Sequence, residues 1–272
     1  MSAPAAAPGP SLHRTTSGTS GPRVVFLHGL FGQGKIWSTL ARELGQDARV
    51  TLLDLPDHGR SPWSRTFSYV AMADQVADHL AATAPGERWT VAGHSMGGKV
   101  AMLVALRHPG LVERLCVVDV APVPTSAVSS FGTYVTAMRR VDLATLRDRA
   151  PAEQVVAETV PDPVIRGFLL QNLRREGSGD AARWRWQMNL ALLGDHLGEI
   201  ADWPQGPYDP YDGPVLWLAG VDSDYVQASY GPAMRALFPR VRLVRVKNAG
   251  HWVHADQPAV FMSALRRFLT AT

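Results

Sequence analysis

Gly93-His94-Ser95-Met96-Gly97 decides how the 272-residue chain is read. It directly follows the apolar run Trp89-Thr90-Val91-Ala92, a predicted strand, and opens a predicted helix over 98–107 that His108-Pro109-Gly110 stops. The spacing Gly-x-Ser-x-Gly between a strand and a helix is that of a nucleophile elbow. The chain turns sharply enough there to push one side chain clear of the sheet in a strained conformation. Side chains at the flanking positions would collide with the turn, hence the glycines. Ser95 is the residue presented. An ordinary glycine-rich strand-to-helix turn is the competing reading, and the setting favours the elbow.

Outward from the elbow, strand and helix patterns alternate. Val24-Val25-Phe26-Leu27, Val50-Thr51-Leu52-Leu53 and the run over 115–118, with Cys116 inside it, are short apolar runs suited to strands buried on both faces of a parallel sheet. Helical periodicity covers 36–44 and 69–82 between them. After Pro122 the rhythm breaks. From 123 to 206 no strand is predicted, and Phe131, Tyr134, Val135, Met138, then Ile165, Phe168, Leu169 and Leu173, fall at helical spacing. A structureless loop of that length is implausible, so residues 123–206 are expected to be a helical insert. The sheet rhythm resumes at 215–219, followed by a helix over 229–238, a strand over 241–246 and a closing helix over 259–269. Such βαβ units imply an α/β fold with a mostly parallel central sheet flanked by helices. Residues 12–122 and 207–272 form the core. Residues 1–11 are expected to be a disordered tail, and 12–16 an edge strand.

Composition narrows the function classes. Hydrophobic residues are 46% and charged residues 19%, which excludes global disorder. No stretch has the length of a membrane span, and none resembles a secretory signal. A single cysteine cannot form an internal disulfide, which favours a reducing compartment and a cytoplasmic location. The net charge of +3 comes from scattered basic residues without a stripe or run, so nucleic acid is not expected as a partner.

A serine hydroxyl is a weak nucleophile and needs a base, which in turn needs an orienting acid. Where a nucleophile elbow carries the serine, acid and histidine follow it along the chain. His251, in Asn248-Ala249-Gly250-His251-Trp252 after the last predicted strand, is the expected base. His254 is close enough to suggest a metal pair, but no carboxylate- or cysteine-rich set accompanies them, so neither metal nor cofactor is expected. His58 and His94 are read as turn-packing residues. The oxyanion hole needs two backbone amides. Met96 supplies one, and Leu30 in His28-Gly29-Leu30-Phe31-Gly32 is preferred over Phe31 for the other. A Walker ending is missing after Gly34-Lys35, which argues against phosphate binding by this loop. Two loops offer the acid: Asp119 in Val118-Asp119-Val120-Ala121-Pro122, and Asp222 or Asp224 in Gly220-Val221-Asp222-Ser223-Asp224. The commoner register, three residues past the glycine, lands on Ser223.

These stretches carry a resemblance. The chain resembles the α/β-hydrolase superfamily, and within it the YbfF-type bacterial esterases and their mitochondrial relatives, the abhydrolase-domain-containing protein eleven group. The elbow extended to Gly98-Lys99, His28 to Gly32, His58-Gly59 with Ser61-Pro62, Val118 to Pro122, residues 131–138, and Gly250-His251-Trp252-Val253-His254-Ala255 carry it. The resemblance implies an α/β-hydrolase fold with a helical cap after the strand the family counts as sixth, and Asp119 at that strand's end as the acid. It departs where relatives have Asn-Ser in place of Asp222-Ser223, and Trp-Arg in place of Trp186-Gln187. The expected activity is hydrolysis of small-molecule carboxylic esters or thioesters with small or medium acyl groups, through an acyl-enzyme. Lactonase, C–C hydrolase or lyase, perhydrolase, and a non-catalytic ligand binder are the alternatives. Phe31, Trp37, Phe131, Tyr134, Trp186 and Trp252 are the expected pocket walls, with the insert as a lid.

Overall fold

The computed structural model describes residues 11–125, 128–178 and 182–271. The expected tail lies almost wholly outside the described residues. In chain order the strands are β1 (Arg14–Ser17), β2 (Arg23–Leu27), β3 (Arg49–Leu53), β4 (Trp89–His94), β5 (Val112–Val118), β6 (Leu173–Glu176), β7 (Arg183–Trp186), β8 (Val215–Gly220) and β9 (Val241–Val246). Seven form one sheet in the order β1-β3-β2-β4-β5-β8-β9. Only β1 runs antiparallel, against β3, and is the edge strand expected at 12–16. The other neighbours are parallel.

Alternation within β2 shows why both faces of the sheet are covered. Val25 and Leu27 join one buried cluster, while Val24 and Phe26 join the other. The first cluster is closed by α2 (Tyr69–Thr83) and α3 (Met96–Arg107), the second by α1 (Ser38–Leu44) and α11 (Pro258–Thr270). Helix α2 starts where Ser68 accepts a hydrogen bond from the Ala71 amide at 3.2 Å, an N-cap. The predicted helix over 36–44 splits into a 3₁₀ turn, Gly34–Trp37, and α1.

Strand order reverses between β2 and β4, which are hydrogen-bonded neighbours with Leu27 opposite Gly93. The chain leaves β2 toward β3 on one side and leaves β4 toward β5 on the other. The loops at their carboxyl ends therefore diverge and open a crevice, the usual ligand position in such sheets.

Between β5 and β8 lie α4 (Val128–Arg139), α5 (Ala150–Ala157), α6 (Pro163–Leu170), α7 (Leu190–Asp195) and α8 (Leu197–Ala201). The strand before this segment is fifth in the described chain, the place that the resemblance counts as sixth. The segment is not strand-free: β6 and β7 form an antiparallel hairpin with Leu173 opposite Trp186 and Glu176 opposite Arg183. Each strand has four residues, and its long polar side chains alternate too briefly to mark a period. Lys99 ties this segment to α3. Its buried ammonium donates to the carbonyls of Ile200, Ala201 and Asp202 at 3.1, 2.7 and 2.7 Å, using all three of its donors at the end of α8. Burial pushes this amine down to about 7, against the opposing pull of Asp202.

Candidate active site

Ser95 joins β4 to α3 with φ 53° and ψ −120°, outside the ordinary regions for a side-chain-bearing residue. The turn is held by its amide donating to Val118 O at 3.0 Å and by its carbonyl accepting from the Gly98 and Lys99 amides at 2.8 and 3.1 Å. Both glycines of the motif are sterically required. A Cβ on Gly93 would lie 2.1 Å from Gly97 O, and a Cβ on Gly97 would lie 2.4 Å from His28 O. The elbow thus packs its own backbone, and the end of β2, at closer range than any side chain permits.

His251 follows β9 in the turn that opens α10 (Val253–Asp256). Its Nδ1 donates to Asp119 Oδ2 at 2.8 Å, which leaves Nε2 as the basic nitrogen. Asp119 is wholly buried at the end of β5 with φ 50°. Its amide donates to Leu218 O at 2.8 Å, its Oδ1 accepts from the Gly220 amide at 3.0 Å, and its Oδ2 also accepts from Ser223 Oγ at 2.5 Å. Three donors thus satisfy the oxygens of this buried carboxylate. The ring of Tyr225 stacks on His251 at 3.8 Å between centroids, and His94 donates from Nε2 to His251 O at 2.8 Å, which fixes the imidazole.

Of the three carboxylates considered, Asp119 is the one on His251. Asp222 and Asp224 are exposed; the Asp222 amide donates to Ala249 O at 3.0 Å, and the Asp224 carbonyl accepts from Gln227. Ser223, at the commoner register for the acid, turns its hydroxyl to Asp119 instead.

Leu30 lies in the loop after β2, where Phe31 takes φ 61° and the Gly32 amide closes a turn on Gly29 O at 2.9 Å. A Cβ on Gly29 would stand 3.3 Å from Ser95 Cβ, so this loop is pressed against the elbow. No carbonyl of the described residues accepts from the Leu30 or Met96 amide. Both side chains border the space beside Ser95, and both amides are available to an oxyanion.

That space has two lobes, and Ser95, Leu30 and Phe131 line both. The larger, of about 220 Å³, is bordered by His251, Trp252, Ile36 and the α6 residues Val164, Ile165 and Phe168. The smaller, of about 30 Å³, is bordered by Met96, Lys99, Val120, Ile200 and Tyr225. Phe131 and Trp252 thus stand where the sequence reading puts them. Phe31, Trp37, Tyr134 and Trp186 do not line the space. Phe31 is wholly buried beneath Phe131 at 6.1 Å, Trp37 stacks on Phe26 and His254 in the core, and Trp186 is buried in the insert. Tyr134 meets the edge of Phe131 at 6.0 Å. Aromatic size marks a core position as readily as a pocket wall, which explains the four misplacements. The apolar α6 face was legible as helical period, but periodicity does not say which cavity a face covers.

The other histidines of the site are buried and neutral. His28 donates from Nδ1 to Gly29 O at 2.8 Å and accepts from the Leu55 amide at 3.0 Å, and burial pushes it down to about 4. His58, whose Nδ1 donates to Pro56 O, and His254 are pushed down to about 3, again mainly by burial. In the unfolded chain each takes up a proton from about pH 6.5 downward, and the native state does not. Stability is therefore full above pH 6.5 and falls by up to about 1.4 kcal/mol per pH unit for each group below it. The urea midpoint is expected to be clearly lower at pH 5 than at pH 7. An unchanged midpoint would contradict the neutral assignment.

A model of the α/β hydrolase fold family matches residues 22–258. The chain is 41% identical to the mouse sn-1-specific diacylglycerol lipase ABHD11 over 254 residues, covering 91% of this chain and 81% of that one. It is 31% identical over 246 residues to the Escherichia coli esterase YbfF, covering 90% and 92%. Among solved structures, a marine microorganism esterase superposes with a TM-score of 0.91 at 31% identity, over 96% of this chain and all of that one. Sheet order, elbow and these likenesses agree, and the chain belongs to the α/β-hydrolase family.

Proposed function

We propose that the protein hydrolyses carboxylic esters, thioesters among them, with Ser95 as nucleophile, His251 as base and Asp119 as its orienting acid. The supporting observation is the Asp119–His251 hydrogen bond at 2.8 Å beside a cavity that both His251 and Ser95 line. His251 Nε2 takes the Ser95 proton as Oγ attacks the carbonyl carbon. The oxyanion of the tetrahedral intermediate accepts from the Leu30 and Met96 amides. His251 then protonates the leaving oxygen or sulfur, the bond to it breaks, and an acyl-Ser95 remains. Water, deprotonated by His251, attacks that acyl carbon; the bond to Ser95 Oγ then breaks as His251 returns the proton to Oγ, and the carboxylic acid departs. Asp119 holds the Nδ1–H tautomer and stabilises the imidazolium in both halves.

The two lobes support a division of the substrate. The leaving group has to meet His251, so it takes the larger apolar lobe, and the acyl group takes the smaller one beside Met96. A space of about 30 Å³ holds on the order of two waters, which suits an acetyl or propionyl group. The segment between β5 and β8 acts as the lid, with α6 covering the leaving-group lobe. No helix among the described residues is long and apolar enough to cross a membrane. The one cysteine, Cys116, is buried, and we place the protein in the reducing cytoplasm.

Across a series of p-nitrophenyl esters, kcat/KM is expected to fall by about tenfold or more between propionate and octanoate. A flat series contradicts the small acyl lobe. A preference for octanoate moves the acyl chain into the 220 Å³ lobe and brings the substrate nearer the diacylglycerol in the mouse relative's name.

A further inference from the structure

A second cavity lies on the other side of the 3₁₀ turn that borders the active site. Ile36 faces the leaving-group lobe, whereas Gln33, Gly34 and Lys35 border a separate space of about 170 Å³. Its other walls include Arg60 from the core, Arg174 from β6 and Gln187 just after β7. The cavity thus spans the seam between core and insert.

Positive charge is concentrated there. Lys35 feels Arg174, Arg149 and Arg60, and Arg174 feels Arg149 and Arg60. Lys35, Arg60 and the half-buried Arg174 border the cavity, Arg149 stands outside its lining, and Lys35, Arg60 and Arg149 are exposed to solvent. Burial, then Arg174, hold the Lys35 ammonium below its usual range; Asp54 opposes this, and Arg149 and Arg60 add to it. Among the described residues, none of the four takes part in an ion pair. Asp54 is the carboxylate of the cavity, and its oxygens accept from backbone: Oδ1 from the Gly34 amide at 2.7 Å and Oδ2 from the Arg60 amide at 2.9 Å. Arg174 Nε donates to Gln187 Oε1 at 3.0 Å, and Arg149 donates to Leu170 O. Both guanidinium groups are thereby positioned, yet their charges are unmatched.

Bringing like charges together from core and insert costs stability unless an anion joins them. A carboxylate would neutralise one charge. A phosphate dianion neutralises two and presents oxygens in several directions, which suits guanidinium forks and an ammonium arriving from different elements. We propose that this cavity binds a phosphate group, which bridges Lys35 and Arg60 of the core to Arg174 of the insert and clamps the two together. Gln33 extends the clamp inward. Its Nε2 donates to Asn172 Oδ1 at 2.7 Å, and Asn172 Nδ2 donates to Phe31 O at 2.8 Å, so the site adjoins the loop that carries Leu30. The phosphate is either free in solution or part of a larger molecule. The inference rests on no part of the ester reaction.

Calorimetry and thermal melts of the full chain in phosphate, against chloride at equal ionic strength and pH 7.5, test it. Inorganic phosphate is expected to bind and to raise the midpoint. Arg60→Gln and Arg174→Gln are each expected to weaken binding by about tenfold or more, the loss of one charge-assisted contact, with p-nitrophenyl acetate turnover unchanged. Lys35→Gln, which relieves repulsion, is expected to melt at or above the wild-type midpoint in chloride and to lose the phosphate response. Adenosine diphosphate that binds more tightly than phosphate, and loses this in the same variants, assigns the group to a larger molecule; weaker binding assigns free phosphate. Equal midpoints in phosphate and chloride overturn the proposal, as does a phosphate shift that survives in the Lys35→Gln/Arg174→Gln protein.

Discussion

Ser95→Ala is expected to lower kcat on a short p-nitrophenyl ester by about 10⁴- to 10⁶-fold, the range found when a serine nucleophile is removed and the oxyanion hole and binding are left in place. The folded state should be nearly unaffected. The strained φ of 53° is imposed by the glycine contacts on either side and by the bond from the Ser95 amide to Val118 O, neither of which needs the hydroxyl. A thermal midpoint close to that of the wild type, together with lost turnover, assigns the loss to chemistry. Retention of more than about a tenth of the activity would remove Ser95 from the reaction, since no second mechanism of that efficiency remains once the nucleophile is gone.

Asp119→Asn is expected to cost about 10³- to 10⁴-fold in kcat, because an amide can hold His251 in the tautomer that leaves Nε2 protonated and unable to act as base. This variant should fold. Asparagine tolerates the left-handed conformation at φ 50°, and its carbonyl oxygen can still accept from the Gly220 amide. Asp222→Asn and Asp224→Asn are expected to stay within about twofold of wild type, since both side chains are exposed and neither reaches His251. Steady-state kinetics on the three purified variants discriminate. An Asp222→Asn loss equal to that of Asp119→Asn would transfer the acid to the loop after β8.

The three positions also show where the sequence was sufficient and where it was not. Ser95 was legible because its neighbours are fixed by local sterics: two glycines, a strand before and a helix after. His251 was legible from chain order and its place after the last strand. The carboxylate that meets His251 was not legible from chain order, since Asp119, Asp222 and Asp224 all respect it and the distances that separate them are tertiary; only the family resemblance singled out Asp119. The Ser223 hydroxyl on Asp119 Oδ2 shows what sequence left out: a residue at the commoner acid register can donate to a carboxylate at the end of another strand. The parallel sheet was read correctly from apolar runs buried on both faces. The β6–β7 hairpin was lost in four-residue strands rich in arginine. Trp37 and Trp186 are expected at the pocket from the sequence, yet Trp37 is buried in the core and Trp186 in the insert, where large aromatic rings also belong. Lys99, quoted only as part of a motif, proves to be the buried pin between α3 and the end of α8, a role no local pattern announces.

The proposed reaction requires His251 to activate the Ser95 hydroxyl across their shared cavity. A fluorophosphonate probe followed by peptide mass mapping tests it most directly. A single adduct is expected on Ser95, absent from Ser95→Ala and formed far more slowly in His251→Ala. Equal labelling of wild type and Ser95→Ala, or an adduct at another residue, would contradict it.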